Sequence, residues 1–251
     1  MEVLFVSLVF YASTVVISVL TLKGFFRWLP FMLLAFGIFF YFLQVFLLSI
    51  RLGALPFADT YSFYSLLGTL TVLVFLILSL KNEQFSRFFV FYAFLGVLSD
   101  LFLFPAEPSP YRSPLYTLHI LFALLSYLSM FFSGLSSILK LLVESKLKHK
   151  SLSGFFLPLE FLRLSERVLV NFCFVFLTLT LIFGSLWTRS YIGRHWISDP
   201  KLVFTLFLWV YYAVVVHLNL LKHIKPKGFS HAVVAGALLG LLNLLFVRHG
   251  F

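Results

Sequence analysis

One cysteine stands in the whole sequence, Cys173, in the middle of an apolar run. A lone cysteine excludes a disulfide within the chain, a Cys-x-x-Cys redox pair and a cysteine zinc site. Charge is also scarce. Only 11% of the residues are Asp, Glu, Lys or Arg, where a soluble domain carries roughly 25%. So little polar surface cannot cover a water-soluble globule. The start, Met-Glu, lacks the basic stretch and small-residue cleavage site of a signal peptide, so the first apolar run is expected to remain as a helix. No soluble domain and no strong internal repeat are visible.

What is present is apolar. Hydrophobic residues make up 61% of the chain, and 35 are Phe. The apolar runs are continuous and near the ~20 residues that carry a helix across a bilayer. Alternating segments of ~10 residues, the mark of a membrane β-barrel, are missing. The fold class is therefore all-α: a polytopic membrane bundle of about eight transmembrane helices, read as one membrane domain over residues 1–251. The spans are expected near Val3–Leu22, Trp28–Ile50, Ser62–Leu80, Phe88–Phe104, Leu115–Val143, Val168–Trp187, Leu202–Leu221 and His231–Val247. The Pro-rich stretch Pro105–Pro114 cannot be helical throughout. Residues 144–167 form a long basic connection, and its LPLEFLRLSER part reads as an interfacial amphipathic helix.

The formal charge of +10 is assigned to topogenic Lys and Arg rather than to a nucleic-acid surface. With the N-terminus outside, the inner segments hold Lys23, Arg27, Lys81, Arg87, Lys140, Lys146, Lys148, Lys150, Arg163, Arg167, Lys222, Lys225 and Lys227. The outer side holds Arg51, Arg112, Arg189, Arg194, Lys201 and Arg248. That is 13 against 6 of the 19 basic residues. Both termini are thus expected on the outer, periplasmic side.

One polar island interrupts the apolar chain: Gly184–Lys201, reading GSLWTRSYIGRHWISDPK, expected as an outer loop. It holds two of the four tryptophans and half of the outer basic residues. His119, at the start of the fifth span, and His249, at the end of the eighth, are expected at the same depth. Two imidazoles at one level beside a Trp-containing loop suit a bis-histidine haem, which also needs flat apolar walls and basic partners for its propionates. Arg189, Arg194 and Arg248 are candidates for the last role. The competing reading is an ordinary interfacial belt of aromatic residues. His149, His223 and His231 read as solvated loop residues. His217 lies inside a span, where an ionisable residue points to function; the plainer account is a hydrogen bond to a neighbouring helix. Asp100 invites the same pair of readings.

The run Gly184, Trp187, Gly193, Trp196, Asp199, Pro200, Lys201 resembles the tryptophan-rich WWD signature of the cytochrome c assembly family. That family includes the CcsA/ResC type, CcmC and HemX/YpjD-like relatives. Trp209 and His217 follow as in the CcsA type. LHILFALLSYLSM, with His119, and NLLFVRHG, with His249, are similar to the family helices that carry outer haem histidines. GALPFADTY, with Gly53, Pro56 and Tyr61, resembles a loop further upstream. The likeness covers roughly Gly53–Gly250. It implies haem b as the cargo, with His119 and His249 as axial ligands on the outer side. It implies Trp187, Arg189, Gly193, Arg194, Trp196, Asp199 and Trp209 as haem-binding residues, and His217 as a ligand of a haem held within the membrane. It also implies a CcsB/ResB-type membrane partner and an apocytochrome c acceptor with a Cys-x-x-Cys-His motif. The activity implied is that of a thioether-forming haem lyase subunit in the bacterial cytoplasmic membrane or a thylakoid.

The chain departs from the signature at Ile192 and Ser198, where tryptophans are usual, at Leu202 in place of Glu, and at Ala54 in place of an upstream histidine. These departures suit a second reading, a non-catalytic HemX/YpjD-like accessory of haem or tetrapyrrole metabolism. A small-molecule transporter using Asp100 and His217 is a third.

Overall fold

The computed structural model describes residues 2–20, 28–53, 56, 60–104, 113–149 and 157–247. Among them are eight α-helices, one 3₁₀ turn and no strand. The helices are α1 (Glu2–Leu20), α2 (Trp28–Leu52), α3 (Thr60–Lys81), α4 (Phe89–Leu103), α5 (Pro114–Lys148), α6 (Leu159–Ile192), α7 (Pro200–Leu220) and α8 (Pro226–Phe246), with the 3₁₀ turn at Glu83–Phe88. Each expected apolar run is found as a helix.

Six helices, α2, α3 and α5 to α8, are long and apolar enough to cross a membrane by length and composition. The apolar stretches of α1 and α4 are shorter. The 15 residues of α4 extend ~22 Å at 1.5 Å per residue, less than a ~30 Å hydrocarbon core. At 35 and 34 residues, α5 and α6 reach ~50 Å and overshoot it.

That overshoot corrects two loop expectations. LPLEFLRLSER is not a separate interfacial helix; from Leu159 on it is the first turns of α6. There it buries Leu162 and Glu166 and leaves Arg163 exposed. The island likewise is only partly a loop, because α6 continues through it to Ile192. Nothing from Gly184 to Ile192 breaks a helix, and polar side chains are tolerated where the helix leaves the apolar layer. Gly193 stops it, with φ +80° and its N–H on the Arg189 carbonyl, the left-handed C-terminal cap.

The chain divides into two compact units, Met1–Arg112 and Ser113–Phe251. In the first, α1 packs on α2 and α4, and α3 packs on α4. Its core holds Tyr11, Leu34, Ile38, Val72, Leu76, Phe89, Tyr92 and Ala93.

In the second unit α5 packs on α6 and α8, and α7 packs on α6 and α8. The inner face of α5 is small: Ser126, Ser133, Gly134 and Ser137 are buried. Small residues let helix backbones approach closely where lipid supplies no hydrophobic drive. Prolines sit in the first turns of α5, α7 and α8, where the missing N–H is not needed.

One basic residue is not where the charge count places it. Lys140 lies inside α5, 2% exposed, and pairs with Glu166 of α6, 1% exposed. Its Nζ donates to Glu166 Oε2 at 2.6 Å, Ser230 Oγ at 2.6 Å and the Pro226 carbonyl at 3.2 Å. Ser137 Oγ donates to Glu166 Oε1 at 2.7 Å. All three ammonium protons thus have acceptors, the condition under which a buried ion pair is tolerated. It is a tertiary lock, not a topogenic loop charge.

Candidate functional site

Antiparallel packing brings the start of α5, the end of α6, the start of α7 and the end of α8 to one end of the second unit. His119 sits there, partly buried. Its Nδ1 lies 2.9 Å from the Thr180 carbonyl oxygen on α6. A carbonyl only accepts, so Nδ1 carries the proton and the lone pair is on Nε2. A carbonyl held by one ring nitrogen is what commonly orients a metal-ligating imidazole. One turn further along α6 is Gly184. A β-carbon there would stand 2.9 Å from His119 Nδ1, so glycine is what lets the ring lie against this helix. Aromatic pairs stand on the adjoining turns of α5 and α6. Phe122 stacks on Phe183 at 5.2 Å, and Tyr116 lies 5.1 Å from Trp187, which stacks on Tyr191 at 5.7 Å.

The connection 193–199 folds back over the last turns of α6 through His195. Arg189 Nη1 donates to His195 Nε2 at 2.7 Å, and Ser185 Oγ lies 3.1 Å from His195 Nδ1. An arginine has no acceptor, so Nε2 must accept and Nδ1–H donates to the serine. Ser185 and Arg189 are four apart and share one helix face. Arg194 and Trp196 are exposed.

Asp199 is buried and caps α7, accepting from the Leu202 N–H at 3.1 Å. In the next turn Lys201 Nζ donates to the carbonyls of Asn243 at 2.5 Å and Val247 at 2.9 Å. The start of α7 therefore clamps the last turn of α8. Asn243 ties that turn inward, with Nδ2 donating to Tyr127 Oη at 3.0 Å and Thr205 Oγ1 at 3.2 Å.

The structure thus gathers His119, Trp187, Arg189, Gly193, Arg194, Trp196 and Asp199 at one end of the unit. Trp187 is 5% exposed and packed between tyrosines, whereas Trp196 is 45% exposed. His217 and Trp209 stand apart from this group, on one face of α7. His217 is exposed, with Nδ1 2.7 Å from the Ala213 carbonyl and its ring edge-on to Phe174. Trp209 Nε1 donates to Thr178 Oγ1 at 2.8 Å and stacks on Phe174. Arg248 and His249 lie outside the described residues. Asp100 is fully buried on α4, with Ser7 of α1 beside its carboxyl.

Sequence reasoning did not single out His195, Asn243, Ser230 or Glu166. The i, i+4 placement of Ser185 and Arg189 would have pointed to His195 had α6 been carried to Ile192. The Lys140–Glu166 pair leaves no trace in local sequence.

The whole chain, residues 1–251, matches the family described as cytochrome C assembly protein. It is 30% identical over 135 residues to the cytochrome c biogenesis protein CcsA of Chlamydomonas reinhardtii, covering 53% of this chain and 36% of that protein. Against CcsA of Cyanidium caldarium it is 26% identical over 163 residues, 54% of each chain. Against CcsA of Guillardia theta it is 28% identical over 156 residues, 55% of this chain and 52% of the relative. The chain therefore spans between about a third and about half of the length of these curated relatives.

Proposed function

This chain belongs to the cytochrome c assembly protein family and is an integral membrane protein; on that premise we propose that it binds haem b and presents it at one membrane face for attachment to apocytochrome c. The observation that carries the reading is His119. Its Nδ1 is held by the Thr180 carbonyl, so Nε2 has the lone pair an axial ligand needs, and aromatic pairs stand on the adjoining turns of α5 and α6.

In this reading His119 and His249 hold the iron from two sides. Trp196, with its indole exposed, lies against the porphyrin. Arg189 and Arg194 meet the propionates; Arg189 arrives already oriented by His195, which reduces the ordering cost of binding. Trp187 supports rather than touches the haem, since it is buried between tyrosines. Asp199 caps α7, and Lys201 and Asn243 fix the last turn of α8, two residues before His249 in the sequence. Haem and the Cys-x-x-Cys-His acceptor supply the thioether chemistry; this chain contributes orientation and shielding.

The site end faces outward, because the other ends of these helices adjoin the larger share of basic residues. That places it in the periplasm for a bacterial cytoplasmic membrane, or on the lumenal side of a thylakoid. His217 ligates a second haem on the membrane-facing side of α7, with the opposite ligand from a CcsB/ResB-type partner. Its tautomer, fixed by Ala213, again leaves the lone pair on Nε2.

The test is the absorption spectrum of the detergent-purified chain. His119→Ala and His249→Ala should each remove most of the haem band; wild-type spectra from both would overturn the outer-ligand assignment. A HemX/YpjD-like accessory role is supported by Ile192 and Ser198, both exposed where aromatic rings would widen the platform. It requires normal c-type cytochromes in a deletion strain, whereas the leading reading requires their loss.

A further inference from the structure

The first unit carries chemistry that haem handling does not use. Ser7 and Tyr11 of α1, Tyr41 of α2, Ser65 and Thr69 of α3, and Asp100 of α4 are all fully buried, each 0% exposed. The ring of Tyr11 is wedged between Gly37 and Gly96, where a β-carbon would lie 2.7 Å and 2.6 Å from it. The two glycines thus deliver a phenol into the centre of the bundle. Ser7, Tyr11 and Tyr41 face Asp100, and Thr69 faces both tyrosines. Some of these groups are paired: Ser7 Oγ donates to the Gly37 carbonyl at 2.9 Å, and Tyr41 Oη and Ser65 Oγ are 2.8 Å apart. Four oxygens stand beside such groups without a well-formed hydrogen bond among the described residues: both carboxyl oxygens of Asp100, next to Ser7, and Tyr11 Oη and Thr69 Oγ1, next to each other.

Native interiors satisfy their buried polar atoms, so four unclaimed oxygens converging from three helices call for an occupant. Charge says what kind. A carboxylate in a membrane interior needs a counter-charge. Among the described basic residues of this unit, Arg51 and Lys81 close α2 and α3, and Arg87 lies in the 3₁₀ turn. All three stand at or next to a helix end. The donors are all oxygen, which suits hard cations and not thiophilic metals. One carboxylate neutralises one positive charge, so a divalent ion would leave the pocket charged. A proton would neutralise the carboxyl but claim only one of the four oxygens directly.

We propose that the first unit holds a binding site for one sodium ion, built on the Asp100 carboxylate with Tyr11 Oη and Thr69 Oγ1 and lined by Ser7 and Tyr41. The site stands on its own geometry and does not depend on the haem reading. By joining α1, α3 and α4 at one ion it makes their packing sodium-dependent.

The test uses the full chain purified in detergent. Sodium chloride is titrated against choline chloride at constant ionic strength, and both the unfolding midpoint and retention of radioactive sodium are read. The wild type should gain stability saturably with sodium and not with choline. Asp100→Asn, which keeps the shape and removes the charge, should lose the response and the retained sodium. Thr69→Val should raise the sodium concentration for half effect at least tenfold, and serves where Asp100→Asn does not fold. Equal midpoints in sodium and choline, a wild-type response in Asp100→Asn, or a response to pH with none to sodium would each overturn the site. In the last case it holds a proton alone.

Discussion

Gly184 stands so close to His119 that a β-carbon on it would reach to 2.9 Å of the imidazole Nδ1. The contact predicts that Gly184→Ala displaces the ring from the Thr180 carbonyl. Overpacking of this kind costs ~1–3 kcal/mol. The haem band per mole of purified protein should fall together with the unfolding midpoint, while helix content is kept. A Gly184→Ala protein with wild-type haem content would show that the position of His119 against α6 is not what holds the ligand.

His195 is placed by Ser185 and in turn places Arg189. His195→Ala should leave stability unchanged, since the side chain is exposed. It should weaken haem affinity about two- to tenfold, roughly the cost of ordering one long side chain. His195→Gln should restore part of the loss, because an amide oxygen can still accept from Arg189. The check is haem titration of the three proteins beside Arg189→Ala. If His195→Ala binds as the wild type does while Arg189→Ala does not, the positioning role is refuted.

Lys201 reaches from the first turn of α7 to two carbonyls at the end of α8. Lys201→Met keeps the length of the side chain and removes both hydrogen bonds. We expect faster amide exchange confined to the last turn of α8, with haem content lowered through His249. Unchanged exchange there would mean that α8 ends where it does without the clamp.

The Lys140–Glu166 pair predicts a strongly non-additive mutant cycle. Lys140→Met or Glu166→Leu alone strands a buried charge, at a cost of ~3–5 kcal/mol. The double replacement Lys140→Met with Glu166→Leu should recover most of that loss. Unfolding in mixed micelles measures all three, and additive losses would sink the account.

The apolar runs made the helices legible, because nothing but a helix satisfies the backbone in lipid. The division at Arg112 and Ser113 is not read from the Pro-rich stretch, since continuous apolar runs on both sides of it look like one membrane domain. What was not legible is which polar groups meet. Lys140 reads as a loop charge because hydropathy cannot see that Glu166, on another helix, stands opposite it. Gly184–Ile192 reads as loop because polar residues end an apolar run without ending a helix. Asp100 stays ambiguous because its surroundings come from three other helices, α1, α2 and α3. Of the candidate site, types and order singled out His119, Arg189 and Trp196, and the packing of the second unit carries them to one end. His195 was passed over among seven histidines, since its partners become neighbours only once α6 is extended.

The buried ion pair also bears on how the chain is made. A lysine or a glutamate entering the bilayer without a partner is penalised, by ~2.5–3.5 kcal/mol for a lysine at mid-depth. Lys140 and Glu166 belong to consecutive helices, so α5 can rest in lipid comfortably only once α6 has joined it. The two are therefore expected to enter the bilayer together, as a hairpin. The Pro226 carbonyl and Ser230 on α8 then close the last two valences of the ammonium group, so α8 seats only after α5 and α6 have met.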